Sequence, residues 1–134
     1  MKIKVLKTHH NAIMPKYGTD GAACFDLHIA DGKWPAYDTG LAFEIPEGHY
    51  MEVHVRSSTG VKKDVRLANG TGIVDSDYRD SVKLFFTGTP YPFKVGDRVA
   101  QAMIKPYNRC SFQEVKSLSI TKRGKGGVGS TGER

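Results

Sequence analysis

The chain has 134 residues and a formal net charge of +6, which predicts one domain with a hydrophobic core and an affinity for anionic partners. Its lysines and arginines are scattered apart from a short cluster at Lys122, Arg123 and Lys125, so we expect no specific nucleic acid partner. The N-terminal MKIKVLKTHH lacks the apolar segment of a secretion signal, and no stretch is long and apolar enough to predict a membrane span.

The spacing of the cysteines and histidines predicts neither a metal site nor a redox motif. Cys24 and Cys110 lack the C-x-x-C spacing of a metal or redox motif, so we expect free thiols in the reducing cytoplasm. The five histidines are scattered without the spacing of a zinc site.

Apolar residues alternate with polar ones along most of the chain, which is typical of β-strands. Two alternating runs, residues 41–45 and 51–55, flank a Pro-Glu-Gly turn and predict a β-hairpin. A short helix is expected over residues 57–63, with Ser57 or Ser58 as its cap. Further strands are expected at residues 64–67, 81–86, 98–104 and 112–118. These elements predict an all-β fold, an antiparallel sandwich or closed barrel.

The stretch VRSSTG at residues 55–60 joins the second of these runs to the helix. Arg56 offers forked charged donors, Ser57 and Ser58 offer hydroxyls, and a helix start leaves backbone N–H groups free. These groups suit phosphate oxygens. The alternative is an exposed arginine followed by an ordinary helix cap, which would give the same sequence pattern without binding phosphate.

The stretch NGTGIVDSDYRD at residues 69–80 begins with a tight-turn dipeptide and continues with two aspartates. In an extended segment Asp75, Asp77 and Arg79 would share one face, while Ser76, Tyr78 and Asp80 would lie on the other. Carboxylates spaced in this way suit a metal or an oriented water molecule. A polar surface turn is the alternative.

Two further stretches are ambiguous by themselves. GDRVAQAMIKP at residues 96–106 contains Gln101, an amide on an apolar run that a cross-strand hydrogen bond would explain. The terminal RGKGGVGSTGER resembles a phosphate-binding P-loop but lacks its lysine, and the three residues after Thr131 leave no room for the helix that such a loop opens. It is either a solvated basic tail or an arm that orders over a phosphorylated ligand.

Taken together and in this order, five stretches resemble the motifs of the homotrimeric dUTPases: AACFDL, VRSSTG, NGTGIVDSDYR, GDRVAQ and RGKGGVGSTG. The connecting TGLAFEIPEG is similar as well. The resemblance implies a distorted jelly-roll or β-barrel domain over residues 1–121 and a flexible glycine-rich arm over residues 122–134 that closes over the active site. The implied reaction converts dUTP to dUMP and pyrophosphate, which limits uracil incorporation into DNA and supplies dUMP for dTMP synthesis.

The resemblance also implies a role for each matching residue. Asp75 would hold and activate the water that attacks the α-phosphorus. Asn69 and the backbone of Gly72, Ile73 and Val74 would read uracil, with Tyr78 under the deoxyribose. The remaining substrate contacts would come from Arg56, Ser57, Ser58, Lys83, Gln101, Arg123, Val128, Gly129, Ser130 and Thr131. Mg²⁺ is implied as cofactor, held chiefly by the triphosphate and not by a protein cage, with Asp26 either an outer partner of that ion or a structural residue.

The chain departs from the family pattern at four places. Val128 stands where an aromatic residue usually stacks on uracil, and Asp80 stands where a glycine is usual. Cys24-Phe25 and Val55 look like packing changes.

Two rival functions follow from these matches and departures. A dCTP deaminase would need a glutamate where Arg79 stands, and an arginine cannot act as the base. A dUTP-responsive regulatory protein with weak or no catalysis, acting on a protein partner, is the alternative function, and a phage or bacterial origin is compatible with the sequence.

Overall fold

A computed structural model describes residues 1–132, which form strands and one short helix. The helix α1 spans Ser57–Lys63. The strands are β1 (Lys4–Lys7), β2 (Lys16–Tyr17), β3 (Phe25–His28), β4 (Asp31–Lys33), β5 (Ala36–Asp38), β6 (Leu41–Glu44), β7 (His49–Val55), β8 (Val65–Leu67), β9 (Gly72–Val74), β10 (Lys83–Gly88) and β11 (Arg98–Pro106).

The strands form three sheets in which neighbouring strands run antiparallel. Their orders are β2-β3-β11-β7-β9, β4-β5-β10-β8 and β1-β6. One cluster of buried apolar side chains joins them, with Leu27, Leu41, Met51 and Leu84 contributed by strands of all three sheets. The predicted all-β fold is confirmed.

Strand β7 illustrates how the alternating pattern builds this core. Met51 and Val53 are buried, whereas Glu52 and His54 between them lie on the opposite face. β7 pairs with β11 on one side and with β9 on the other. It therefore sits inside the five-stranded sheet and connects the elements that carry the candidate site.

The predicted hairpin of residues 41–55 is wrong. The turn itself forms, since the amide of His49 donates to the carbonyl of Pro46 at 3.1 Å. However, β6 pairs with β1 and β7 pairs with β11 and β9, so the two strands belong to different sheets. Leu41 and Phe43 of β6 and Met51 and Val53 of β7 all enter the shared core, and such spacing is the same for strands that lie side by side and for strands in different sheets.

The helix predicted over residues 57–63 is confirmed, but its predicted cap is wrong. Arg56 is the residue that precedes the helix, and no side chain caps it. The amides of Thr59 and Gly60 donate to the Arg56 carbonyl at 3.0 and 2.9 Å. Arg56 thus lies at the junction of β7 and α1, and Ser57 and Ser58 lie in the first helical turn.

The strand predicted over residues 112–118 is also wrong. β11 ends at Pro106, and residues 107–132 form no further strand. Phe112 and Leu118 are 97% and 86% exposed. A strand requires a neighbour for its backbone hydrogen bonds, and within residues 1–132 this segment has no strand to pair with.

No helix within residues 1–132 has the length and apolar character needed to cross a membrane.

Candidate active site

A first concave site, the arginine pocket, lies where β7 passes into α1 beside β3 and β11. Its charged and amide side chains are Asp26 from β3, Arg56, and Arg98 and Gln101 from β11, joined by Ser57 of α1. Gln101 lies opposite Asp26 on one side and opposite His54 on the other. Ser58 follows Ser57 in the helix. Within the described residues 1–132, Ser58 is not one of those that line the pocket.

One carboxylate organises the arginine pocket. Oδ1 of Asp26 lies 3.0 Å from Nε of Arg56, and its Oδ2 lies 3.2 Å from Nη1 of Arg98. Arg56 also donates from Nη1 to the Arg98 carbonyl at 3.4 Å. Two guanidinium groups against one carboxylate leave a net positive charge, so the pocket suits an anion.

Arg98 was not among the residues expected at the site, because its position there depends on an irregularity in strand β11. Arg98 and Gln101 are three positions apart, which in a regular strand would place them on opposite faces. The pairing of β11 with β3 shifts register between Arg98 and Ala100. This β-bulge brings Arg98 and Gln101 to the same pocket. The sequence GDRVAQ offers no signal for the bulge besides Gly96.

Gln101 makes a long contact within the sheet, since its Nε2 lies 3.5 Å from the carbonyl of Val55. A cross-strand hydrogen bond of this kind was the alternative, structural role expected for the Gln101 amide from the sequence alone. At this length it is a weak hydrogen bond, so the amide remains able to turn toward a ligand in the arginine pocket.

A second concave site of about 230 Å³, the β9 pocket, lies beside the edge of the five-stranded sheet. The predicted site residues that line it are Asn69, Gly72, Ile73, Val74, Asp75, Tyr78 and Lys83. Its wall is completed by apolar side chains, namely Val53, Leu67, Val82, Leu84 and Phe85. The pocket is therefore largely apolar, with a few polar groups at its edge.

Tight turns on both sides of β9 shape this pocket. Before the strand, the amide of Gly70 donates to Leu67 at 2.9 Å and the amide of Thr71 donates to Asn69 at 2.8 Å. Because β9 is the last strand of its sheet, one row of its backbone groups stays outside the ladder. Those groups are available to a planar ligand with hydrogen-bonding edges.

The extended arrangement predicted for residues 75–80 is wrong, because the chain turns after β9. The amide of Tyr78 donates to the carbonyl of Asp75 at 3.2 Å. As a result, Asp75 and Tyr78 line the same pocket. Asp77 and Arg79 line a neighbouring polar cleft, which Asp75 also borders.

Lys83 and Asp80 form an ion pair beside the β9 pocket, with 2.8 Å between Nζ and Oδ2. Oδ1 of Asp80 accepts a hydrogen bond from the amide of Ser81 at 2.7 Å. The hydrogen bond and charge of Asp80 raise the pKa of Lys83, and the hydrogen bond from Lys83 is the main reason that the pKa of Asp80 is lowered. Asp80, whose orientation the sequence left open, thus points at the lysine of the pocket.

The two pockets do not meet in one copy of the chain. Asp75 follows Val74, which pairs with Met51, so it lies level with Tyr50 near the start of β7. Arg56 follows Val55 at the end of the same strand. The six-residue offset corresponds to about 20 Å at the rise of a β-strand.

The predicted arm residues within 122–132 do not line either pocket. Residues 122–132 form a series of exposed turns, in which Ser130 donates its amide to Gly127 at 3.1 Å. Nε of Arg123 donates to the carbonyl of Gly126 at 3.0 Å, and Val128 is fully exposed. In the described part of the chain, Arg123, Val128, Gly129, Ser130 and Thr131 are not among the residues that line the pockets. Glu133 and Arg134, the last two residues of the predicted arm, lie outside the described residues.

Solved structures with a similar fold include two phage proteins. The Staphylococcus bacteriophage 80alpha dUTPase with dUpNHpp aligns with a TM-score of 0.84 at 22% identity, over 98% of both chains. The dUTPase from phage phi11 of S. aureus aligns with a TM-score of 0.77 at 18% identity, over 90% of this chain and 100% of that one. At these identities the likeness concerns the fold.

Sequence comparison identifies the family. A family model described as dUTPase matches residues 10–132. The deoxyuridine 5'-triphosphate nucleotidohydrolase of Nautilia profundicola is 39% identical over 99% of this chain and 100% of its own length. The protein of the same name from Helicobacter pylori is 36% identical over 98% of this chain and 97% of its own length. The chain therefore belongs to the dUTPase family.

Proposed function

We propose that this chain hydrolyses dUTP to dUMP and pyrophosphate. The observation that carries the proposal is the β9 pocket, in which Asn69 and an edge strand border an apolar cavity while Asp75 and Tyr78 lie at its side. Membership of the dUTPase family and the names of its relatives support the same reaction.

The β9 pocket is proposed to hold the nucleoside. The amide of Asn69 and the backbone of Gly72, Ile73 and Val74 would pair with the polar edge of uracil. A base with the wrong donor or acceptor would leave a buried group unpaired, at a cost of about 1–3 kcal/mol. The Tyr78 ring would pack under the deoxyribose, and its hydroxyl donates to the Ser81 carbonyl at 3.2 Å, which holds the ring in place.

The arginine pocket is proposed to hold the phosphates. Arg56 and Ser57 line it, and Ser58 follows Ser57 in the first turn of α1. Gln101 would approach the α-phosphate from β11. Asp75 would orient a water whose oxygen bonds to the α-phosphorus while the bond from that phosphorus to the bridging oxygen breaks. The water proton passes to Asp75 and then to solvent, and pyrophosphate leaves.

A homotrimer with shared sites is part of the proposal. The attacking water must lie about 3–3.5 Å from the phosphorus, yet Asp75 and Arg56 of one copy are separated by most of the length of β7. Assembly would place the arginine pocket of one copy against the β9 pocket of another. It would also give residues 107–121, with the exposed Phe112, Leu118 and Ile120, a surface to cover.

The C-terminal arm is proposed to close over the bound nucleotide. Arg123, Ser130, Thr131 and the backbone near Gly129 would contact the outer phosphates, while Val128 would cover the base. The arm's turns are held by few and exposed hydrogen bonds, so reordering it around a triphosphate would disrupt little structure.

Magnesium is proposed to enter with the triphosphate. Residues 1–132 contain no group of three or more His, Cys, Asp or Glu side chains placed to hold a metal ion. The Asp26 carboxylate is engaged by Arg56 and Arg98, so the donor set of the arginine pocket suits the triphosphate oxygens and not a bare cation. Bound by those oxygens and water, Mg²⁺ would neutralise charge on the leaving pyrophosphate.

The cytoplasm is the proposed compartment, because Cys24 and Cys110 are free thiols. A purely regulatory role is not favoured. The relatives that are 36–39% identical are named as nucleotidohydrolases, whereas control of virulence gene transfer is stated for a phage protein at 22% identity.

The test is to incubate the purified protein with Mg²⁺ and, separately, dUTP, dTTP, dCTP and UTP, and to follow pyrophosphate release and base identity. Release from dUTP alone is expected, with its loss in Asp75→Asn. Tight binding of dUTP without release would contradict hydrolysis, and release of uracil-containing product from dCTP would indicate deamination.

A further inference from the structure

The ion pair between Asp80 and Lys83 lies beside the β9 pocket, which Asp75, the proposed catalytic residue, also lines. Lys83 lines the β9 pocket together with Asp75, whereas Asp80 is not among its lining residues. The 2.8 Å contact between Nζ and Oδ2 therefore turns the lysine toward a carboxylate outside the pocket. The lysine ammonium is partly neutralised at the place where the polyanionic substrate would pass.

Asp80 is held in this orientation by its own loop. Its Oδ1 accepts the Ser81 amide at 2.7 Å, and the Ser81 hydroxyl donates to Oδ2 of Asp38 at 2.8 Å. Asp38 is the strand partner of Lys83 and adds a second negative charge near it. The carboxylate is consequently placed by a hydrogen bond that does not depend on Lys83.

We propose that Asp80 is a positioning residue that holds the Lys83 ammonium at the rim of the β9 pocket and thereby lowers the affinity for dUTP. This inference rests on the proposed function and deepens it. Without Asp80, the lysine charge is free to attract the phosphates. Without Lys83, the Asp80 carboxylate is left to repel them. The two residues thus have opposite effects on substrate binding, and each effect depends on the other residue.

A double-mutant cycle tests this coupling. Asp80→Asn keeps an oxygen that can accept the Ser81 amide and removes the charge, and Lys83→Met removes the ammonium at similar length. Asp80→Asn is expected to lower KM about two- to fivefold, the size of an exposed ion pair, with kcat unchanged. Lys83→Met is expected to raise KM. In the Lys83→Met background, Asp80→Asn has no lysine to release and only relieves repulsion, so it is expected to lower KM by a clearly smaller factor than in the wild-type background.

The matched control is Asp64→Asn, which removes an exposed carboxylate 2.9 Å from Arg66 and is expected to leave KM unchanged. The inference is overturned if Asp80→Asn leaves KM unchanged or raises it, if it lowers KM by the same factor with and without Lys83, or if the Lys83→Met KM equals that of the wild type. Binding of the analogue dUpNHpp is measured for the wild type, the two single variants of the pair and their double variant. If the wild type releases no pyrophosphate, the proposed function fails, while the analogue affinities still decide whether the pair is coupled to nucleotide binding.

Discussion

Arg56 and Asp75 lie at opposite ends of strand β7. Arg56 follows Val55, the last residue of that strand, whereas Asp75 follows Val74, whose strand partner is Met51. The guanidinium and the carboxylate that we propose act on the same phosphate are thus kept apart by the sheet itself. The proposed catalytic site, which uses both groups, would therefore be built from more than one copy of the chain.

Subunit mixing tests this consequence directly. Arg56→Ala and Asp75→Asn are each expected to abolish dUTP hydrolysis alone. Refolded together in equal amounts, they are expected to regain about one quarter of wild-type activity, because random assembly gives that share of sites an intact Arg56 and an intact Asp75. The measurement is pyrophosphate release from the mixture.

The control for mixing is the Arg56→Ala, Asp75→Asn double variant refolded with either single variant. This combination can form no site with both residues intact, so it is expected to remain inactive. An inactive mixture of the two single variants, with assembly verified by light scattering, would show that each site uses the Arg56 and Asp75 of one copy.

The core strands and the helix could be predicted because their signals are local. Met51 and Val53 alternate with polar neighbours, and the helix lies between a strand end and Asp64, whose left-handed conformation (φ +51°) ends it. Partner choice is not local. The patterns of residues 41–45 and 51–55 give no information about which strands lie beside them, so a nearby turn suggested a hairpin that the sheets do not contain.

The candidate site shows the same division. The resemblance to the dUTPase motifs pointed to Arg56, Gln101, Asp75 and Tyr78, but their grouping into two pockets depends on pairing across β7. Arg98 reaches the arginine pocket through a bulge. Strict alternation also failed after Val74, where the backbone turns so that residues three apart face one cavity. A strand at residues 112–118 could not form without a neighbour.

Replacing Val128 with phenylalanine should strengthen substrate binding. Valine can cover uracil but cannot stack on it, and stacking on an aromatic ring is worth about 1–3 kcal/mol per base. Val128→Phe is therefore expected to lower KM for dUTP about fivefold or more. Steady-state kinetics provide the measurement, and Val128→Leu separates added apolar area from aromatic stacking. An unchanged KM in the phenylalanine variant would mean that the arm does not bring this position to the base.

Tyr78 is expected to exclude ribonucleotides. Its ring borders the β9 pocket, and its hydroxyl is tied to the Ser81 carbonyl at 3.2 Å, so a 2'-hydroxyl on the sugar would meet a fixed surface. Tyr78→Ala should raise the kcat/KM of UTP relative to dUTP about tenfold. Tyr78→Phe keeps the ring and serves as the control, with selectivity close to the wild type. If the alanine variant retains wild-type selectivity, the sugar is discriminated elsewhere.

Glu52 should make the fold sensitive to acid. On the outer face of β7 its carboxylate accepts the Tyr50 hydroxyl at 2.6 Å and lies 2.7 Å from Nε2 of His54 and 3.2 Å from Nζ of Lys105. These hydrogen bonds, that of Tyr50 foremost, lower the pKa of Glu52 from 4.5 to about 2. Because the folded pKa lies below the unfolded one, this stabilisation is complete above about pH 4.5 and is lost as the pH falls toward 2.

Glu52→Gln is therefore expected to flatten the fall in the free energy of unfolding between pH 4.5 and pH 2, because glutamine takes up no proton there. Urea denaturation at a series of pH values measures that slope. The exposed Glu114 offers a control, since Glu114→Gln removes a carboxylate outside the strands and should leave the slope as in the wild type. If the free energy of unfolding falls with the same slope in Glu52→Gln and in the wild type, the acid sensitivity arises from other carboxylates. A glutamine at position 52 binds no proton in this pH range, so it would remove any contribution from Glu52.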